Sequence, residues 1–240
     1  MLRFDKSMGF TLAEVLITLG VLGVVSAMTM PTLIASYQKK AYVTQLSKVY
    51  TEFQQATLKY KNDNNAINLR EAGLTSQAKI KDFLHTYFKV VSDCGSVVKA
   101  PCFADKYRDL NGTFHDANDS WGAASSVTLA SGASLIVDYP AYYTKTVNGV
   151  VSHYGHMVID VNGLKGPNIG GRDIFFAEFY DDGSIDVDGA TPECKSNGVC
   201  DGNKSVKDIR ESYFNSNCKS GRYGAGCIGK ILNDNWEMNY

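Results

Sequence analysis

Six cysteines, four histidines and one loop rich in acidic and amide side chains are the residues whose chemistry must be accounted for first. Cys94, Cys102, Cys194, Cys200, Cys218 and Cys227 fall into three pairs that are local in sequence. An even number favours disulfides in an exported chain, and the simplest connectivity is Cys94–Cys102, Cys194–Cys200 and Cys218–Cys227. Other pairings remain open on sequence grounds, and in a reducing compartment the same residues would be buried thiols. No Cys-x-x-Cys spacing occurs, which weakens zinc and redox chemistry. His85, His115, His153 and His156 show no triad-like spacing, and full pairing of the cysteines leaves no thiol nucleophile. His153 and His156 are three residues apart, as metal ligands on a helix would be, but Gly155 places a turn between them. In the run from Asp160 to Asp173, the oxygens of Asp160, Asn162 and Asp173 suit a calcium ion. The spacing is not that of an EF-hand, and the same side chains serve equally as loop caps. Gly224-Ala225-Gly226-Cys227-Ile228-Gly229 matches a dinucleotide-binding pattern, yet no strand precedes it and no βαβ unit surrounds it. The expectation is a chain that is not an enzyme, with no cofactor beyond that candidate calcium.

The elements that must carry these residues divide sharply. The chain has 240 residues, 24 basic and 25 acidic, for a net charge of −1. That length supports one sizeable core, and the charge balance points to neither nucleic acid nor an acidic disordered tail. Between Glu14 and Lys39 lie 24 uncharged residues, which as a helix span about 36 Å at ~1.5 Å per residue. A bilayer's hydrocarbon core is roughly 30 Å thick. Arg3 and Lys6 make the preceding residues positive, so the bulk of the chain is expected on the outer side.

After Lys40 the pattern turns amphipathic. Leu46, Val49, Tyr50, Phe53, Thr57 and Tyr60 follow helical spacing, with Lys48, Glu52, Gln55 and Lys59 opposite. The helix is expected to end near Lys61, at the run Asn62-Asp63-Asn64-Asn65. A second helix is expected over 76–91, capped by Ser76, with Ile80, Phe83, Leu84, Tyr87 and Val91 on one face and His85 off it. Residues 92–126, including Trp121, read as irregular. Strand-like runs follow at Ser126–Ala130, Ala133–Tyr139, His156–Val161, Ile174–Tyr180 and Ser184–Val187, with turn signals at Ser131-Gly132 and Asp182-Gly183. They predict an antiparallel meander against the amphipathic helix. From Ala190 onward Cys, Gly, Asn and Lys predominate, a short helix is expected over 205–216, and disulfides are expected to hold this region to the core.

One charged residue, Glu14, stands inside the N-terminal apolar run. A secretory signal peptide cut after Val25-Ser26-Ala27 and a plain membrane anchor both leave it unexplained, and an ionisable residue in a membrane segment points to function. Gly9-Phe10-Thr11-Leu12-Ala13-Glu14 closely resembles the processing site of type IV prepilins and type II secretion pseudopilins. The resemblance implies cleavage after Gly9 by a prepilin peptidase, N-methylation of Phe10, and assembly through Glu14. There the carboxylate would pair with the new N-terminal amine of a neighbouring subunit. Gly20 and Gly23 permit close helix packing, and Pro31 is expected to kink or loosen the helix. The glycine-rich loop after Asp160 is similar to a strand–loop–strand element of larger pilin-like proteins.

The expected architecture is α+β. A leader (1–9) precedes a transmembrane and assembly helix (10–38), then an amphipathic helix and globular head (39–240) built on an antiparallel sheet with a disulfide-tied C-terminal region. The resemblance implies other pilin or pseudopilin subunits, the peptidase, an inner-membrane assembly platform and the membrane as partners, with no nucleic acid. It implies a single pass through a bacterial inner membrane, the head extracytoplasmic, and then a periplasmic or surface filament. The alternative is a membrane-tethered ligand-binding or adhesion protein that uses a prepilin-type leader.

Overall fold

A computed structural model of the protein describes residues 9–116, 125–138, 143–221 and 224–240. The chain divides into two compact units, Met1–Lys40 and Ala41–Tyr240. The architecture is α+β: a long N-terminal helix, an antiparallel sheet, and disulfides in the C-terminal region.

In the first unit the chain is helical from Leu12, within α1 (Leu12–Asp63). Pro31 lies inside α1 without ending it. The apolar side chains of this stretch, among them Leu16, Leu19, Val24 and Leu33, are exposed. By length and composition α1 is able to cross a membrane, and nothing in its most apolar window is buried.

In the second unit the remainder of α1 buries Val43, Leu46, Val49, Phe53, Ala56 and Thr57, the three- and four-residue spacing that puts one stripe on a core. Phe53 is the centre of that stripe, with ring centroids 5.8 Å from Phe83, 5.8 Å from Phe88 and 5.3 Å from Phe179. The second helix, α2, covers Gln77–Tyr87 and is capped by the Ser76 hydroxyl, which accepts from the Lys79 amide. It is shorter than the sequence suggests. Phe88 is already extended, and Val91 belongs to β1 (Val90–Gly95), where it is 60% exposed and not on a helix face.

The segment expected to be irregular holds β1 and a small hairpin of β2 (Lys106–Arg108) and β3 (Phe114–Asp116). Trp121 lies outside the described residues, as does Tyr139 at the end of an expected strand. The remaining strands are β4 (Ser126–Leu129), β5 (Ser134–Asp138), β6 (Thr144–Val147), β7 (Val150–Asp160), β8 (Ile174–Tyr180) and β9 (Ile185–Asp186). The main sheet runs β1-β4-β5-β7-β8-β9, all antiparallel, with β6 paired to the first part of β7.

The strand expected to begin at His156 thus starts six residues earlier, and Gly155 is no turn. It sits mid-strand in β7 because a Cβ there would lie 2.4 Å from the Asp138 carbonyl and 2.7 Å from the Phe179 ring. The true turn is Asn148-Gly149, both at positive φ (49° and 79°), as a two-residue hairpin requires.

Alternation divides the sheet's faces. Leu135, Val137, Met157, Ile159, Phe175, Ala177 and Phe179 pack in one core with the buried stripe of α1. Ile136, Val158, Ile174 and Phe176 turn to the other face, under Val98, Cys102, Phe103 and Tyr107.

Beyond the sheet come α3 (Pro192–Asn197), α4 (Val206–Tyr213) with a capping box at Ser205 and Asp208, a π-type turn (Phe214–Cys218) and α5 (Cys227–Asn233). This region is not held by disulfides alone. Phe214, Ile228, Ile231 and Met238 are buried in the main core. Trp236 meets Tyr50 edge-on at 5.0 Å, and the Tyr240 hydroxyl donates to the Gly171 carbonyl at 2.9 Å.

Candidate functional site

The N-terminal segment is built around Thr11 and Glu14. The Thr11 amide and hydroxyl both donate to Glu14 Oε2, at 2.8 and 2.9 Å, and the Glu14 amide donates to Thr11 Oγ1 at 3.2 Å. This is a capping box, which satisfies amide donors that the first helical turn otherwise leaves open. Glu14 therefore has a local structural role that the sequence reading passed over, although the Thr-x-x-Glu spacing announces it. Both Thr11 donors converge on one carboxylate oxygen. Gly9 and Phe10 precede the helix, and Phe10 is 88% exposed.

The six cysteines form Cys94–Cys102, Cys194–Cys200 and Cys218–Cys227. The first bridge closes a loop over the outer face of the sheet. The third joins the π-type turn to α5.

Asp160, Asn162 and Asp173 are brought together at the two ends of the loop between β7 and β8, and donors already occupy the carboxylates. The Tyr107 hydroxyl donates to Asp160 Oδ2 at 2.8 Å and the Asn162 amide to Oδ1 at 3.2 Å. Asp173 receives the Asn168 and Ile169 amides at 2.8 and 2.7 Å. The Asn162 side chain donates to the Gly166 carbonyl at 3.2 Å. Burial pushes both carboxyls above their usual range, Asp160 most strongly, with the negative Asp173 adding to the effect on Asp160. Ringed by N–H and O–H donors, both carboxyls act as loop caps, while the side-chain oxygens of Asn162 and Asn168 are buried with no hydrogen-bond partner among the described residues. Among the described residues no three His, Cys, Asp or Glu side chains form a metal-holding group. Asp160→Asn is expected to lower the unfolding free energy by about 1–3 kcal/mol, because its NH2 meets a donor where the buried carboxyl accepts one. Neither calcium nor a chelator should move the thermal midpoint of the parent protein. A rise of several degrees on adding calcium, lost in the variant, would contradict the capping role.

The histidines are dispersed. His85 bonds Asp93 at 2.9 Å beside Lys81, and His115 bonds Asp109 at 2.6 Å. His153 and His156 both lie on β7. The glycines that mimic a nucleotide loop are explained by backbone approach. A Cβ on Gly224 would fall 2.6 Å from the Gly171 amide nitrogen, where the β7–β8 loop meets the C-terminal region.

Sequence reasoning also missed the most highly charged buried cluster. Asp186 on β9 is fully buried and takes a two-pronged bond from Arg210 of α4, Nε to Oδ1 at 2.9 Å and Nη2 to Oδ2 at 2.6 Å. Lys195 of α3 adds a contact at 3.0 Å. No local spacing signals partners from three separate elements.

Comparison with protein-family models, with curated proteins and with solved structures finds no match to this chain.

Proposed function

We propose that this chain is a structural subunit of a type II secretion pseudopilus or type IV pilus-like filament, not an enzyme. The observation that carries this reading is the order Gly9-Phe10-Thr11-Leu12-Ala13-Glu14 directly ahead of an apolar helix. A prepilin peptidase cuts after Gly9, Phe10 is N-methylated, and α1 anchors the chain in the inner membrane with the head outside. An assembly platform then draws α1 into a filament of like subunits. The capping box supports a specific role for Glu14. With the Thr11 donors on Oε2, Oε1 remains to receive the amine of a neighbouring subunit, and register follows from that pairing.

The test is mass spectrometry of the mature N-terminus. N-methyl-Phe10 is expected, whereas a start at Met28 would indicate an ordinary signal peptide and overturn the reading. Glu14→Ala is expected to leave cleavage intact while weakening assembly. Truncating one member of a desolvated charge pair costs about 2 kcal/mol or more, roughly thirtyfold in a subunit association constant. Filament yield equal to that of the parent would remove Glu14 from the assembly step.

A further inference from the structure

The outer face of the sheet carries a carboxyl that the filament reading does not use. Glu178 on β8 is only 4% exposed. Among the described residues its side chain has one hydrogen-bond partner, the Tyr180 hydroxyl, 3.2 Å from Oε2, and the same hydroxyl lies 3.1 Å from the Val187 carbonyl. A phenol has a single proton to donate. Each contact is a full two-centre bond when Glu178 is protonated and donates to the Tyr180 oxygen while Tyr180 donates to Val187; otherwise the two acceptors share one proton.

The surrounding charges point the same way. Asp186 lies opposite Glu178 on β9 and is committed to Arg210 and Lys195. Asp188, just beyond β9, is committed to Lys145 of β6 at 2.7 Å. β7 contributes Tyr154 and, directly opposite Glu178, His156, which burial holds below the usual histidine range. The cation of α3, Lys195, lies over the Tyr180 ring. The nearby cations thus all have other carboxylate partners. The Lys145–Asp188 pair is only about one-third exposed and lines a cleft of about 180 Å³ with Asp201 and Ser212.

We propose that Glu178 is a proton-controlled latch: protonated, it bonds Tyr180 and leaves Lys145 to Asp188, and on losing its proton to solvent it draws Lys145 away, loosening β6 from the segment after β9. This device is independent of how the N-terminus is processed. Burial, reinforced by Asp188, pushes the Glu178 carboxyl up to about 8, so the exchange falls in a mildly alkaline window.

The test is hydrogen–deuterium exchange of the full chain in detergent micelles across mildly acidic to alkaline pH, corrected for the intrinsic effect of pH on exchange. Protection over 144–153 and 187–191 is expected to fall roughly tenfold as pH rises. Glu178→Gln should make protection independent of pH. Asp188→Asn should move the midpoint to lower pH, because it removes a negative neighbour and frees Lys145. Lys145→Met should move it higher. Flat protection in the parent, an unchanged transition in Glu178→Gln, or a midpoint that neither Asp188→Asn nor Lys145→Met displaces would each overturn the latch.

Discussion

Asp186→Ala is expected to cost the head about 3–5 kcal/mol of unfolding free energy, the range for breaking a buried ion pair from one side. The carboxylate is fully buried and answers four donors: Arg210 twice, Lys195, and the Val187 amide at 2.9 Å. Removing it leaves a guanidinium only 19% exposed, with no counter-charge. The loss comes less from a missing attraction than from a stranded cation. The double variant Asp186→Leu with Arg210→Met should accordingly recover much of the stability, since exchanging a whole buried pair for apolar groups is often neutral. Urea unfolding followed by circular dichroism measures all three chains. An Asp186→Ala cost below about 1 kcal/mol would place this pair with ordinary surface ion pairs.

Phe53→Ala should be comparably damaging, at about 3–5 kcal/mol. Phe53 is fully buried and touches rings from α2, from the residue after it and from β8. The cavity would open where helix, helix and sheet converge, and three aromatic side chains cannot all shift to fill it. Leu58→Ala, five residues on and 55% exposed, is the control, expected within about 0.5 kcal/mol of the parent. Equal costs for the two variants would mean that α1 does not bury the stripe described.

Why some elements are legible and others are not follows from what their residues bury. The stripe of α1 and the strand Ile174–Tyr180 read directly, because each repeats its apolar positions over enough residues to set a period. β6 reads poorly: Thr144-Lys145-Thr146-Val147 has one strand partner and buries only Val147. β1 alternates half-buried and exposed positions and carries two register shifts, so its pairing with β4 leaves no clean pattern. Helical spacing alone assigns Val91 to α2, but extended backbone at Phe88 prevails. The glycine at 155 resembles a turn only until the Phe179 ring is seen beneath it. At the N-terminus the capping box is written in four consecutive residues and could have been read. The Asp186 cluster and the shared Tyr180 hydroxyl depend on which strands become neighbours, and a linear scan has no access to that.

The position of α5 and the segment after it has a consequence for biosynthesis. Ile228, Ile231 and Met238 complete the same core as Val49 and Phe53, and Trp236 rests on Tyr50. A ribosome makes the two sides of that core at opposite ends of the head's synthesis. As the chain is made, α1 and the sheet emerge with one wall of their interior missing, its apolar residues open to water and to other chains. The core therefore cannot close progressively. It must wait for residues beyond 228 before that wall is complete. Until then the nascent chain depends on whatever shields exposed apolar surface.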